Sequence, residues 1–313
     1  MIKKKPFGES LKEQLIAAQK DRLFRFVLAD GTCRGALLHG TRMVNEMQAN
    51  HQLGPLETLV LGHGYIAGGL MAAGLKGDDR LSIQIKCSGP IKGLVVEANA
   101  FGEVRGYLKQ VPIPIEKTME TANLSSLWGA GFLTVTRHLR DAKQPFTSQV
   151  PLVYSEVALN LANYFLTSEQ IPTSFSLSLQ FDKKNLVLGA GGLLLQALPG
   201  AEPVTITQLE ARVRDLPSLG RRFAQGQAPG DFINESFQKF HPNIIGDYRI
   251  EFMCHCNEER IRNMLMMLPI ADLKDMADNG PFPIEVLCHN CGTPYLLDQD
   301  LIRSLYAQRY PSN

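Results

Sequence analysis

The sequence predicts an α+β fold in three parts: an N-terminal mixed α/β core domain over residues 1–200, a helical linker over 201–248, and a small C-terminal zinc-binding domain over 249–313. Three observations predict it. Short apolar runs bounded by turn dipeptides alternate with helical patterns through the first two hundred residues. Prolines then punctuate short amphipathic pieces at Pro203, Pro217, Pro229 and Pro242. Finally, four cysteines lie in two tight pairs, Cys254-His255-Cys256 and Cys288-His289-Asn290-Cys291, with the 31 residues 257–287 between them. A chain of 313 residues is also longer than one compact core usually supports.

Residues 24–29 and 35–38 are apolar runs across Asp30-Gly31, a hairpin signal. The apolar stretch 59–75 belongs to a helix read over 57–75. It contains Gly64-x-x-x-Gly68, which in lipid could form a helix-dimer face. It is too short to span a bilayer, carries five glycines, and runs directly into Lys76, Asp78, Asp79 and Arg80. It therefore reads as a buried core helix. Leu81 to Ile85 alternates apolar and polar residues as a half-buried strand does, and Gly89-Pro90 turns the chain into a second strand over 91–98. A β-branched run follows over 131–137. Val157, Leu161, Tyr164 and Phe165 have helical spacing within 155–165, and 186–198 returns to strand character around Gly189, Gly191 and Gly192.

In the linker, Thr207-x-x-Glu210 is read as a capping box for a helix with Ile206, Leu209, Val213 and Leu216 on its apolar side. Pro229-Gly230-Asp231 opens a second helix with Phe232, Ile233, Phe237 and Phe240 as its stripe. Isolated helices shorter than about 12–15 residues are marginal in water, so each must dock on something. The terminal unit, read from about Arg249 to about Tyr310, offers Ile261, Leu265, Leu268 and Ile270, then Leu296, Leu297, Leu301 and Leu305. Such small units commonly need a metal, and removing it should unfold this one.

Four thiolates satisfy a tetrahedral zinc ion completely, so Cys254, Cys256, Cys288 and Cys291 are read as ligands of one Zn2+ per chain. Under oxidant the same sulfurs can instead form two short disulfides. A purely structural site and a redox switch both remain open on spacing. The close sulfurs of Cys-x-Cys favour the switch, because an oxidised thiol has a resolving partner within reach. His255 and His289 sit inside the pairs and are read as exposed, tuning local charge. Cys33 and Cys87 are read as small buried apolar side chains.

Other chemistries are absent from the text of the chain. No Gly-x-x-x-x-Gly-Lys-Ser/Thr occurs, so no such ATP site is supported. Gly189-Ala190-Gly191-Gly192 is not a dinucleotide fingerprint and is read as close backbone packing. No histidine is followed two residues later by glutamate, which removes the zinc-deaminase pattern. The net charge of +1 supplies no basic field, and from Cys254 onward five Lys/Arg face eight Asp/Glu, against nucleic-acid binding. The basic start Met1-Ile2-Lys3-Lys4-Lys5 is followed by Glu9, Lys12 and Glu13 instead of an apolar region, so no signal peptide is read. With 44% hydrophobic and 20% charged residues, the chain reads as cytoplasmic and not membrane-bound. In that compartment, clustered cysteines point to metal or redox chemistry.

At Glu251-Phe252-Met253-Cys254-His255-Cys256-Asn257-Glu258-Glu259-Arg260 and Cys288-His289-Asn290-Cys291-Gly292 the chain resembles the heat-shock protein 33 family of redox-regulated chaperones. The resemblance extends upstream to Tyr164-Phe165-Leu166-Thr167-Ser168-Glu169-Gln170-Ile171-Pro172-Thr173, to Gly191-Gly192-Leu193-Leu194-Leu195-Gln196-Ala197-Leu198-Pro199, and to 77–93 and 129–136. It implies an ATP-independent holdase, not an enzyme, that acts in the oxidative stress response and is inactive while reduced and zinc-bound. By family pattern, oxidation would pair Cys254 with Cys256 and Cys288 with Cys291, release zinc and unfold the linker. The partners implied are unfolding client proteins and a second copy of the oxidised chain. Leu209, Val213, Leu216, Phe232, Phe237 and Phe240 are the expected client-binding residues. Two rival readings are an interaction protein with a purely structural zinc and a thiol-disulfide oxidoreductase using Cys288-x-x-Cys291. The second lacks a thioredoxin-like βαβ setting.

Overall fold

The structure, a computed structural model, describes residues 1–4, 8, 20–114 and 127–309. Lys5, Glu9, Lys12 and Glu13, read above against a signal peptide, and Tyr310 at the end of the terminal unit lie outside the described residues. The chain divides into two compact units, Lys4–Phe252 and a smaller one made of Met253–Asn313 together with Met1–Lys3.

The larger unit opens with the expected hairpin, β1 (Arg22–Leu28) and β2 (Cys33–His39), in register from Arg22↔His39 to Leu28↔Cys33. Its turn places Asp30 and Gly31 at φ 52° and 88°, the left-handed region that Asp tolerates and Gly adopts freely. Two helices follow, α1 (Thr41–His51) and α2 (Pro55–Ala72), then β3 (Arg80–Cys87), β4 (Gly93–Asn99), β5 (Glu103–Leu108), β6 (Gly131–His138) and β7 (Phe146–Pro151). Next come α3 (Val157–Tyr164), continued by a π-helical turn over Phe165–Glu169, then β8 (Thr173–Phe181) and β9 (Val187–Ala197). The remainder is α4 (Pro203–Arg214), α5 (Leu219–Ala224), α6 (Pro229–Phe237), β10 (Asn243–Arg249) and the short β11 (Glu251–Phe252). One sheet has the order β10-β1-β2-β9-β8 and the other β11-β5-β4-β3-β6-β7. All pairs are antiparallel except β11 with β5.

Helix α2 lies between the two sheets, which is why its sequence is apolar all round. Its glycines are the points of closest approach. A Cβ on Gly64 or Gly68 would meet Val96 of β4 at 3.0 or 2.8 Å, and one on Gly69 would meet Leu38 of β2 at 2.5 Å. The Gly-x-x-x-Gly spacing thus serves helix-on-sheet packing, and Tyr65 anchors the same helix by donating to the Gly106 carbonyl at 3.0 Å. Among the described residues no helix is long and apolar enough to cross a membrane.

The segment 201–248 is folded onto the outer face of the first sheet, within the larger unit. Leu209, Phe232 and Phe237 are buried there with Phe26, Leu37 and Leu193, and Val213, Leu216 and Phe240 pack partly buried against the same cluster. The capping box at Thr207 is corrected by the structure: α4 already begins at Pro203, and the Thr207 hydroxyl donates back to the Pro203 carbonyl at 3.0 Å. Proline at the first helical position starts the helix without needing a cap four residues on. The cap that does form is Ser218, which accepts from the Arg221 N–H at the start of α5, a helix absent from the sequence reading. The glycines of β9 make room for α5, since a Cβ at Gly189 would lie 2.0 Å from the Gly220 carbonyl oxygen and one at Gly191 2.2 Å from the Phe223 ring.

Cys33 is buried at the start of β2, whereas Cys87, expected to be buried, is only partly covered because it ends β3 at the sheet margin. Burial raises both thiols above their usual range, so neither is an activated thiolate.

The smaller unit contains α7 (Glu258–Leu265), α8 (Ile270–Asn279), the hairpin β12 (Ile284–Leu287) and β13 (Pro294–Leu297), and α9 (Gln299–Arg309). Among the described residues its buried core is seven side chains, Ile261, Leu265, Leu273, Ala277, Leu297, Ile302 and Leu305, with partly buried hydrophobics such as Met266, Phe282 and Tyr295 packed against them. Leu296, expected inside, is 65% exposed, because successive strand residues point to opposite faces and Leu297 takes the inner one.

Candidate metal centre

Two local structures present the four cysteines. Cys254 and Cys256 lie in the short connection between β11 and α7, which ends where Asn257 caps α7, its side-chain oxygen accepting from the Arg260 N–H at 2.8 Å. Both sulfurs join one cluster, while His255 between them is exposed. Cys288 to Cys291 form the turn joining β12 to β13. The Gly292 N–H donates to the Cys288 carbonyl at 2.8 Å, the Cys288 N–H donates to the Thr293 carbonyl at 3.0 Å, and Gly292 takes φ 65°. Glycine there lets the chain re-enter β13 immediately after the last cysteine.

All four sulfurs lie within 4.8 Å of one another. Cys254 Sγ is 3.9 Å from Cys288 Sγ, and Cys256 Sγ is 3.3 Å from Cys291 Sγ. A tetrahedron of sulfurs each about 2.3 Å from a central ion has edges of about 3.8 Å. The cluster therefore has the size that a four-thiolate ion site needs. Cys254, Cys256 and Cys291 are buried residues and Cys288 is half-buried, the least covered residue of the four.

Electrostatics points the same way. Contact with Cys254, then with Cys291, together with burial, pushes the Cys288 thiol far above its ordinary range. Contact with Cys254 and burial push Cys291 up to about 11. Four thiolates at this spacing cannot ionise together on their own; a divalent cation at their centre reverses the balance and holds all four deprotonated. The thiol-rich donor set suits zinc.

Two hydroxyls that the sequence reading did not single out complete the site. Tyr295 OH donates to Cys256 Sγ at 3.1 Å, and the Thr293 hydroxyl lies 3.2 Å from Cys291 Sγ. Burial, and then the Cys256 contact, raise the Tyr295 phenol well above its usual value, so it keeps its proton for the sulfur. Thr293, fully buried, also accepts from the Ile2 N–H at 3.3 Å, and the Met1 ammonium group donates to the Cys256 carbonyl at 2.5 Å. Their only sequence signal is a hydroxyl side chain two and four residues after the last cysteine. Partners of this kind orient ligands and commonly change metal affinity 10–100-fold when lost. Thr293→Val keeps the shape and removes the hydroxyl. It is expected to weaken zinc affinity by about tenfold, read by competition with a chromophoric chelator; unchanged affinity would show the hydroxyl to be incidental.

The six residues expected to bind clients are not part of this cluster. They come together elsewhere, in the apolar cluster of the larger unit that α4, α5 and α6 cover. His255 and His289 are both exposed.

Comparison with known proteins gives one consistent result. The family model described as Hsp33 protein matches residues 21–298. The 33 kDa chaperonin of Desulforamulus reducens is 36% identical over 288 residues, covering 91% of this chain and 97% of that protein. The 33 kDa chaperonin of Geobacillus sp. is 31% identical over 287 residues, with the same two coverages. The crystal structure of the 33 kDa chaperonin (heat shock protein 33 homolog) of Thermotoga maritima superposes with a TM-score of 0.85 at 29% identity, covering 94% of this chain and all of that one.

Proposed function

The chain belongs to the Hsp33 family, a chaperone family, and from that premise we propose that it is a redox-regulated, ATP-independent holdase for unfolding proteins in the cytoplasm. The observation that carries the proposal is that the sulfurs of Cys254, Cys256, Cys288 and Cys291 converge within 4.8 Å of one another, so that one cluster is placed either to hold an ion or to form disulfides. When bound, zinc would neutralise these thiolates and tie the two cysteine pairs into one structure around a core of seven side chains.

Oxidation is proposed to join Cys254 to Cys256 and Cys288 to Cys291. In each pair two thiols and one peroxide yield one disulfide and two waters, the sulfurs losing two electrons. No thiolate then remains to hold an ion, and a unit with so small a core loses its fold. The half-buried Cys288 is the natural first point of attack.

The activated surface is proposed to come from residues 201–248, which end four residues before the smaller unit in the chain and are proposed to act as its redox-sensitive linker. While α4, α5 and α6 are docked, Leu209, Phe232 and Phe237 are covered. Undocking would expose them with Val213, Leu216 and Phe240, and would also bare the sheet residues Phe26, Leu37 and Leu193. Exposed apolar area of this kind binds unfolded chains and a second oxidised copy alike, which gives a homodimer.

The test is light scattering from a thermally unfolding client without ATP. The peroxide-treated chain is expected to suppress aggregation, the reduced zinc-loaded chain not to, and reductant with zinc to reverse the effect. Equal behaviour of the two forms would reduce the four cysteines to a structural clamp.

A further inference from the structure

We propose that the larger unit also binds a small anionic amphiphile, a carboxylate on a short apolar chain, in the cleft at the C-terminal end of α2. This inference is independent of the chaperone reading. The cleft has a volume of about 460 Å³, within the 300–1,000 Å³ typical of small-molecule pockets. Its floor is apolar and buried, made by Ala36 of β2, Leu70 and Met71 of α2 and Leu194 of β9. Ile245, 57% exposed, and Leu139 stand at its mouth. That is a place for a hydrocarbon body.

The polar lining is lopsided in charge. Four cations, Arg25, Arg34, Lys76 and Arg137, face one carboxylate, Glu169. Glu169 is already committed: it pairs with Arg137 at 2.8 Å and accepts from Tyr164 OH at 2.6 Å. Among the described residues no carboxylate pairs with Arg25, Arg34 or Lys76. The carbonyls ending α2 oppose an anion with about half a negative charge, which three cations without a carboxylate partner outweigh, although Arg25 also lies over the Tyr248 ring at 5.8 Å.

Arg34 is pre-organised. Its Nε and Nη2 both donate to Gln196 Oε1, at 2.8 and 2.6 Å, and Gln196, 3% exposed, donates in turn to Thr173 Oγ1 at 3.0 Å. A buried amide thus holds the guanidinium at the cleft by its Nε–Nη2 edge, which leaves the Nη1–Nη2 end to meet a carboxylate. The two upstream stretches of family resemblance, 164–173 and 191–199, meet here, although neither contributes a metal ligand. The first includes the π-helical turn Phe165–Glu169, a backbone form concentrated at functional sites.

The probe is octanoate, titrated calorimetrically into the reduced zinc-loaded full chain, with octylammonium as the opposite-charge control of equal length. Octanoate is expected to bind saturably, one per chain, and octylammonium not to bind. Arg25→Gln with Arg34→Gln should weaken octanoate by about tenfold or more, the usual consequence of losing charged hydrogen-bond partners. Gly74→Phe should abolish binding by filling the cleft: Gly74 lines it, and a Cβ there would meet no atom within 4 Å. Circular dichroism and zinc content of the variants should be unchanged. No saturable octanoate binding, equal binding of both probes, or binding undiminished in either variant would overturn the assignment.

Discussion

Cys288→Ser is expected to lower the zinc content from one ion per chain to near zero and to unfold residues 253–313, while residues 4–252 keep their hydrogen-exchange protection. A structural four-thiolate zinc contributes about 10–16 kcal/mol of apparent binding free energy, which in such units is folding free energy. The seven-residue core of the smaller unit cannot replace it. A serine hydroxyl does not ionise near neutral pH, so the variant keeps only three thiols, one short of the set that closes a tetrahedral shell. Chelation of the wild-type chain should give the same exchange pattern. Retained protection across 253–313 without metal would refute metal-dependent folding. The same variant separates the alternatives: a switch loses its repression or its redox control, a structural clamp only its fold, and an oxidoreductase its turnover.

Phe237→Ala is expected to make the reduced, zinc-loaded chain partly active. Phe237 is fully buried, with its ring 5.9 Å from that of Phe26, while Phe232 lies edge-on to Phe223 at 6.5 Å in the same cluster. Truncating a buried phenylalanine costs about 3–5 kcal/mol. The three helices it helps to hold are 12, 6 and 9 residues long, so tertiary docking supplies nearly all their stability. Faster proteolysis within 201–248 and suppression of client aggregation without peroxide, at full zinc occupancy, are the expected results. If proteolysis speeds up but aggregation is not suppressed, the covered apolar surface is not the client-binding face.

Much of the local structure was legible in the chain. The β1–β2 hairpin follows from Asp30-Gly31 between apolar runs, and close backbone packing at β9 from its glycines, although not the partner that packs there. The start of α4 was misread because Thr207-x-x-Glu210 has the pattern of a capping box, while Pro203 had already fixed the first turn. Strand β10 and helix α5 gave no readable signal. The first gains its hydrogen bonds from β1, 216 to 227 residues away (Val27↔Asn243, Arg22↔Arg249), and the second its burial from β9, 31 residues away at Gly189 and Gly220.

The metal centre divides along the same line. Which residues gather around a possible ion follows from the chain alone, because two residue pairs of fixed spacing carry all the donor atoms. That Thr293 and Tyr295 hydrogen-bond those sulfurs, that Cys288 is the most accessible of the four, and that Leu209, Phe232 and Phe237 are covered are decided by folding. Each of these depends on atoms brought together from distant segments, and spacing along the chain does not encode burial or the direction of a hydroxyl. Ligand identity is a local property, whereas access to it and the surface it governs are not.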